Sequence, residues 1–208
     1  MNIQNKPASF FAILILILIT YILYWGRTPS VSVIIQAGKE TSISSKKGIS
    51  SNLSREKEWT VRVADMVAKQ LRVWQIEVKR VPAKVPLMRA NIAVAIHFDG
   101  AKVSCTSGAS IGYPNQNSHD FAQRWRKLYA QYFPFKWQDD NFTKNLSQYY
   151  GYKWIRANKF LVLELGEITC KKQSLWLKPK LKNVSYLIAY SIATELGVDA
   201  PKPSFLEE

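Results

Sequence analysis

The sequence predicts an α/β fold, a mostly parallel sheet flanked by helices on both faces and preceded by one N-terminal transmembrane helix. Three observations lead to this prediction. Apolar stretches of strand length alternate along the chain with amphipathic stretches of helical period, which is the pattern of strands joined by crossover helices. Residues 8–25 contain no charged side chain. The 208 residues leave room for one ordinary domain beside that apolar segment.

The apolar N-terminal segment is expected to be a membrane anchor. As a helix it would rise about 27 Å, close to the thickness of a bilayer core. It is too long for a signal-peptide core and no small-residue cleavage site follows it, so a cleaved signal peptide is only the alternative. We therefore expect a tail at residues 1–7, the anchor at 8–26, a linker at 27–31, the folded domain at 32–197 and a tail at 198–208.

The first half of the domain contains two strands and one helix. Residues 32–35 are a short apolar strand. Residues 41–52 are rich in serine, glycine and lysine, which favours a long exposed loop. Residues 53–71 place apolar side chains three and four positions apart, as an amphipathic helix does. Residues 75–81 alternate apolar and polar side chains, which indicates a strand.

The second half of the domain continues the alternation. Residues 90–96 are almost continuously apolar, which indicates a buried strand. Residues 118–132 carry large apolar side chains on one helical face. Residues 160–165 form another buried strand, and residues 184–196 form the last helix, which Gly197 is expected to end.

A histidine marks the end of the central strand. His97 directly follows the apolar stretch, and Asp99 and a glycine come next. Open α/β sheets present their ligand-binding groups at the carboxyl ends of strands. The chain has two histidines, so any histidine-based metal site must use His97 or His119.

The net charge of the chain is +14, from 29 lysines and arginines against 15 acids. This excess favours anionic partners such as acidic lipid headgroups, anionic wall polymers or nucleic acid. Nucleic-acid recognition receives little support, because the sequence has no long basic block and no zinc-finger spacing. The alternative is a solvated basic surface without a partner.

Two cysteines, Cys105 and Cys170, each follow an apolar stretch that is predicted as a strand. If those strands are neighbours, the two thiols can form a disulfide outside the cytoplasm. Two separate buried thiols are the alternative, and the sequence leaves both open.

Four segments resemble the zinc-dependent N-acetylmuramoyl-L-alanine amidases, which are peptidoglycan hydrolases with a single α/β domain. Residues 33–39 resemble the first strand and its glycine turn, and residues 56–64 resemble the opening of the next helix. Residues 95–99 and 163–166 resemble two strand ends that carry site residues. The order of the four segments agrees with the family, and together they span nearly all of the domain.

The resemblance implies a catalytic site. Glu56 and His97 match zinc ligands, and Glu164 matches the catalytic glutamate. It also implies hydrolysis of the amide between muramic acid and L-alanine, with zinc activating water and Glu164 moving the proton. Peptidoglycan would be the partner, and the domain would be extracytoplasmic.

One ligand position departs from the family. Lys39 stands where the family has its first zinc-binding histidine. Removing the proton of an ordinary lysine at pH 7 costs about 4.6 kcal/mol, so Lys39 is not expected to be a ligand. A nearby group could replace it, and the candidates are Glu40, Asp99 and His119.

The alternative is a site without metal. Lys39 would then be the ion-pair partner of Glu56 or Glu164, and the domain would be a pseudoenzyme that binds or regulates the cell wall. A membrane-tethered module for another anionic polymer is a third interpretation.

Overall fold

The computed structural model describes residues 7–26, 30–40 and 51–206. The strands in these ranges are β1 (Ser30–Ala37), β2 (Val78–Val81), β3 (Met88–Asp99), β4 (Ala109–Gly112) and β5 (Ile155–Glu167). The helices are α1 (Pro7–Gly26), α2 (Ser51–Val73), α3 (Gln116–Ala130), α4 (Lys144–Ser147), α5 (Gly151–Trp154) and α6 (Lys171–Glu195), and a 3₁₀ turn covers Ser204–Leu206.

Several predicted connecting segments fall mostly outside the described residues. These are the tail at residues 1–7, most of the linker at 27–31 and most of the loop at 41–52. The end of that loop prediction is wrong, because Ser51 and Asn52 already belong to α2.

The five strands form one sheet in the order β2-β1-β3-β5-β4. Neighbours among β2, β1, β3 and β5 are parallel, and only β4 is antiparallel, so the predicted mostly parallel sheet is confirmed. In the register, Ala37 of β1 pairs with Ile96 of β3, and His97 pairs with Glu164 of β5. The carboxyl ends of the three central strands therefore meet at one edge of the sheet.

Helices flank the sheet unequally. The three long helices α2, α3 and α6 pack on one face and form the larger core with β1, β3 and β5. The other face has a smaller apolar cluster, closed by Leu146 of α4 and by Tyr149. The expectation of helices on both faces is therefore refined: short turns, rather than long helices, cover the face that bears His97 and Glu164.

The structure contains elements that the sequence did not predict. The strand β4 and the helices α4 and α5 are four residues each, too short to show a period. Helix α6 begins at Lys171 rather than at residue 184, and it includes Pro179 in its interior. Gly197 adopts a φ of +71° just after α6, in agreement with its predicted role at the helix end.

The described side chains of α1 cover residues 11–21, and its large apolar side chains there are exposed. Within the described part of the chain, no helix has both the length and the apolar character needed to cross a membrane. The transmembrane anchor therefore stays a prediction.

Candidate functional site at the strand ends

A cavity of about 350 Å³ opens at the edge where β1, β3 and β5 end. The α4–α5 segment forms its outer wall. The side chains that matter for its chemistry are Lys39, His97, Asn145, Gln148, Tyr149 and Glu164. Three of the seven residues that the sequence analysis named for the site thus line one cavity, and Glu56 contacts two of them.

Lys39, Glu56 and His97 form a connected group. The Oε1 atom of Glu56 lies 3.6 Å from Nδ1 of His97. The Oε2 atom of the same carboxylate lies 4.0 Å from Nζ of Lys39. Only about a tenth of the Glu56 and His97 side chains is exposed, whereas 42% of the Lys39 side chain is. Glu56 lies near the start of α2, over the ends of β1 and β3. The tertiary fold therefore brings Lys39, Glu56 and His97 together.

A chain of hydrogen bonds holds the other side of the His97 ring. The side-chain amide of Gln36 donates to the carbonyl of Ala83 at 2.8 Å, so its Oε1 is an acceptor. The hydroxyl of Tyr149 donates to that oxygen at 2.9 Å. The same hydroxyl lies 3.2 Å from Nε2 of His97. The network therefore fixes the ring so that Nδ1 faces Glu56.

The charge state of His97 follows from its burial. Burial lowers the pKa of His97 most strongly; the Glu56 carboxylate opposes this effect, and the charge of Lys39 adds to it. The Nδ1 atom faces the Glu56 carboxylate, and the Lys39 ammonium is the positive charge beside them.

Gly38 makes this arrangement sterically possible. A Cβ atom at this position would lie 1.9 Å from Nε2 of His97, far inside any real contact distance. The backbone of Gly38 also donates to the carbonyl of Ile96 at 3.0 Å, which fixes the turn against β3. The glycine is therefore required by the close approach of the imidazole.

Glu164 stands beside His97 on the neighbouring strand. Its Oε2 atom is buried and has no hydrogen-bond partner among the described residues. Burial raises the pKa of Glu164 well above its usual value; Asp99 and Glu56 raise it further, and Lys39 opposes them. A carboxyl of this kind can give a proton at the cavity wall and, once ionised, take one back.

The structure holds the proposed substitute ligands elsewhere. Glu40 forms an ion pair with Arg80. Asp99 accepts hydrogen bonds from the hydroxyl of Ser107 and from the backbone of Gly100. His119 lies on α3, with Nδ1 3.3 Å from the carboxylate of Asp120 and its ring against Tyr113. The contacts described for these three residues do not include His97 or Glu56.

The residues at this edge do not fit a catalytic zinc ion. Catalytic zinc sites normally use three protein ligands and keep one position open. Glu56 and His97 supply two, and the third position holds Lys39 in an ion pair. Among the described residues, no three histidine, cysteine, aspartate or glutamate side chains are grouped so that they could hold a metal ion.

Two residues of the site were not predicted from the sequence. Gln36 is completely buried although it is polar. The apolar residues before it in β1 could have indicated that it continues a buried strand. Tyr149 lies in an aromatic-rich segment whose rings could not be sorted into buried and exposed from the sequence. Only the packing of that segment against β1 and β3 shows that Tyr149 contacts the imidazole.

The structure joins Cys105 and Cys170 by a disulfide across 65 residues of chain. The bond ties the β3–β4 loop to the start of α6. The fully buried carboxylate of Glu167 supports the same loop, because it accepts hydrogen bonds from the backbone of Cys105 and Ser107, both at 2.7 Å. This junction lies beyond the end of β5, just outside the cavity.

Structural comparison places the fold among known proteins. The chain resembles the catalytic domain of CwlV, an N-acetylmuramoyl-L-alanine amidase from Bacillus (Paenibacillus) polymyxa var. colistinus, with a TM-score of 0.58 and 20% identity over 83% of this chain and 100% of that one. It also resembles the amidase AmiC2 of Nostoc punctiforme, with a TM-score of 0.59 and 17% identity over 80% of this chain and 97% of that one.

A third similar structure is the CwlD amidase from Clostridioides difficile, solved in complex with the GerS lipoprotein, with a TM-score of 0.57 and 14% identity over 81% of this chain and 100% of that one. No protein-family model and no curated protein sequence matches the chain. The resemblance to the N-acetylmuramoyl-L-alanine amidases is confirmed as a likeness of fold.

Proposed function

From the amidase fold and its altered site, we propose that this chain is a membrane-anchored, extracytoplasmic domain that binds peptidoglycan without zinc-dependent hydrolysis. The observation that carries the proposal is the ion pair between Lys39 and Glu56, with 4.0 Å between Nζ and Oε2. The ammonium group supplies the positive charge that a metal ion bound by Glu56 and His97 would otherwise supply.

Electrostatics favours the ion pair over a metal ion. A dication bound by Glu56 and His97 would stand beside the ammonium of Lys39, and like charges at such distances repel. Lys39 would have to lose its proton to join the ligand set, at the cost of several kcal/mol described above. With Lys39 charged, the Glu56 carboxylate has a partner and the site is stable without metal.

The cavity suits a binding role. Asn145 and Gln148 offer amide donors and acceptors on its outer wall, and Tyr150 adds a half-exposed ring. A mixture of amides and aromatic faces is suitable for a chain of acetylated sugars and peptides. We therefore assign the muramoyl-peptide to this cavity.

The extracytoplasmic location rests on two features. The large apolar side chains described in α1 are exposed, as they would be in contact with lipid. The disulfide between Cys105 and Cys170 is a bond that persists in oxidising compartments. Together they support an anchored domain that faces the wall.

An active amidase is the second candidate, and Glu164 favours it. Its buried carboxyl stands in the position of the family's catalytic glutamate, next to His97, and one of its oxygens has no partner. A site without catalytic use has no evident reason to keep that unpaired group. This candidate requires a zinc ligand that the described residues do not supply.

Zinc content and wall binding separate the two candidates. We expect the full chain, purified in an uncharged detergent without chelator, to contain well below one zinc per chain by elemental analysis. We expect it to sediment with purified peptidoglycan and to release no muropeptide amide products. One zinc per chain together with product release would establish the second candidate instead.

A matched pair of variants ties the binding to the cavity. Asn145→Trp fills the cavity wall and is expected to weaken sedimentation with peptidoglycan. Asn158→Trp adds the same ring at an exposed position near the start of β5 and is expected to leave sedimentation unchanged. Equal binding by both variants would place the wall contact outside the cavity.

A further inference from the structure

The first half of α6 carries a row of exposed lysines. Lys171, Lys178 and Lys182 share one line along the helix with Leu175, because they are spaced by four, three and four residues. All four side chains are exposed. The row is about 16 Å long at the rise of an α-helix. We call these three lysines the α6 lysine row.

No acidic residue in the first half of α6 balances these charges. The sequence has no acidic residue between Glu167 and Glu195. Glu167 is fully buried, and Glu195 is bound to Arg124 and Lys159. In the described part of the chain, no lysine of the row takes part in an ion pair. Lysines four residues apart on a helix repel each other, so the row carries a small cost in stability that an anionic partner would remove.

Two further lysines extend the basic surface on one side of the row, since Lys172 and Lys180 lie about 100° and 180° around the helix from Lys171. Lys172 places its Nζ 5.9 Å from the centre of the Phe135 ring. Lys180 places its Nζ 5.3 Å from the centre of the Trp176 ring. Contacts of this kind favour particular side-chain positions, so fewer rotamers are lost when an anion binds.

The position of the row in the fold decides between a polymer and a membrane. Helix α6 begins directly after β5, so the row starts at the edge of the sheet that holds the candidate site. The chain enters β1 from α1 at the opposite edge, and a strand of this length spans about 26 Å. Helix α6 then runs back along the sheet, because Glu195 at its end pairs with Lys159 near the start of β5. An anchored chain would therefore hold the Lys171 end of the row farthest from its own bilayer. Membrane-surface helices also expose a broad apolar face, whereas the row contains only Leu175.

We propose that the α6 lysine row binds a phosphate-bearing linear polyanion, on the face of the sheet opposite the candidate site. Repeated phosphates along a flexible chain match a straight line of ammonium groups, which bind phosphate as point charges. The proposal is independent of the proposed function, because it uses none of the cavity residues. A domain with both features would hold an anionic polymer on one face of its sheet and keep its cavity on the other.

The test uses linear inorganic polyphosphate and the full chain in an uncharged detergent. The row variant is Lys171→Gln, Lys178→Gln and Lys182→Gln together. The control variant, with the same net charge, is Lys69→Gln, Lys79→Gln and Lys84→Gln, which are exposed lysines on α2, on β2 and after it. Affinity is measured at several NaCl concentrations.

We expect the row variant to bind polyphosphate about tenfold more weakly and to lower the slope of log affinity against log salt by about two, since three phosphate contacts are lost. The control variant is expected to stay within about threefold of the wild type, as diffuse screening of distant charges allows. Equal losses in the two variants, or none in the row variant, would overturn the proposal. So would displacement of polyphosphate by phosphatidylglycerol vesicles at lower phosphate concentration, because the row would then be a membrane contact.

Discussion

Lys39, Glu56 and His97 show how a single side chain changes the chemistry of a site. The imidazole keeps its place through Tyr149 and Gln36, and its Nδ1 atom faces the carboxylate of Glu56. Beside them, Lys39 carries an ammonium, which pairs with the carboxylate.

Replacing Lys39 with histidine is expected to create zinc binding. The Lys39→His variant removes the ammonium and adds a third ligand beside Glu56 and His97, the number that catalytic zinc sites use. Bound zinc is expected to rise to near one per chain, measured by elemental analysis after gel filtration.

The control is Lys39→Gln, which removes the positive charge without adding a strong zinc ligand. We expect it to remain far below one zinc per chain. If both variants bind zinc equally, the charge of Lys39 alone was the barrier. If a folded Lys39→His variant binds none, the match of Glu56 and His97 to zinc ligands is wrong.

At the scale of the elements, strand ends and one tight turn build the site. The parallel strands β1, β3 and β5 deliver Lys39, His97 and Glu164 to the same edge, because their carboxyl ends point the same way. The turn after β1 must pass directly against the imidazole. Only a residue without a side chain permits that approach at Gly38.

Gly38→Ala is expected to displace the imidazole of His97. The added methyl group would lie 1.9 to 2.4 Å from three ring atoms, so the ring must leave its hydrogen bond with Tyr149. We expect a loss of about 1–3 kcal/mol in the free energy of unfolding. Denaturant titration and the NMR signals of the His97 ring measure the two effects.

Gly100→Ala is the matched control, since the nearest atom to its added methyl group would be 3.9 Å away. It is expected to leave both the ring signals of His97 and the unfolding midpoint close to those of the wild type. An unchanged His97 ring in Gly38→Ala would contradict the steric argument.

At the scale of the whole molecule, the two faces of the sheet are covered differently. The long helices α2, α3 and α6 close the large core on one face, where most of the buried apolar area lies. The other face is thinly covered by the α4–α5 segment, which leaves room for the cavity. The large apolar core and the cavity therefore lie on opposite faces of one sheet.

The disulfide is expected to contribute strongly to stability. A cross-link that closes 65 residues restricts the unfolded chain, and the loop-entropy relation gives about 4 kcal/mol for that length. The double variant Cys105→Ser, Cys170→Ser is expected to unfold at a clearly lower denaturant concentration. Added reductant should lower the midpoint of the wild type and leave that of the variant unchanged. Coincident midpoints for the two proteins would show that the bond does not stabilise the fold.

The long elements could be predicted from the sequence because their patterns are local. The apolar stretch before His97 and the periodic residues of α2 and α3 identify strand and helices without tertiary information. The beginning of α6 could not be found in this way, because Pro179 interrupts a helical pattern that packing against α2 restores. The strand β4 exists only through its pairing with β5.

The sequence by itself determined the α/β class, the strand ends that carry His97 and Glu164, and the lysine that departs from the amidase pattern. The tertiary structure decided what those residues contact. It paired Lys39 with Glu56, held Glu40 against Arg80, and oriented His97 through Gln36 and Tyr149. Patterns along a chain report which face of an element is buried, whereas a site depends on distances between residues far apart in the chain, and only the packing of the elements sets those.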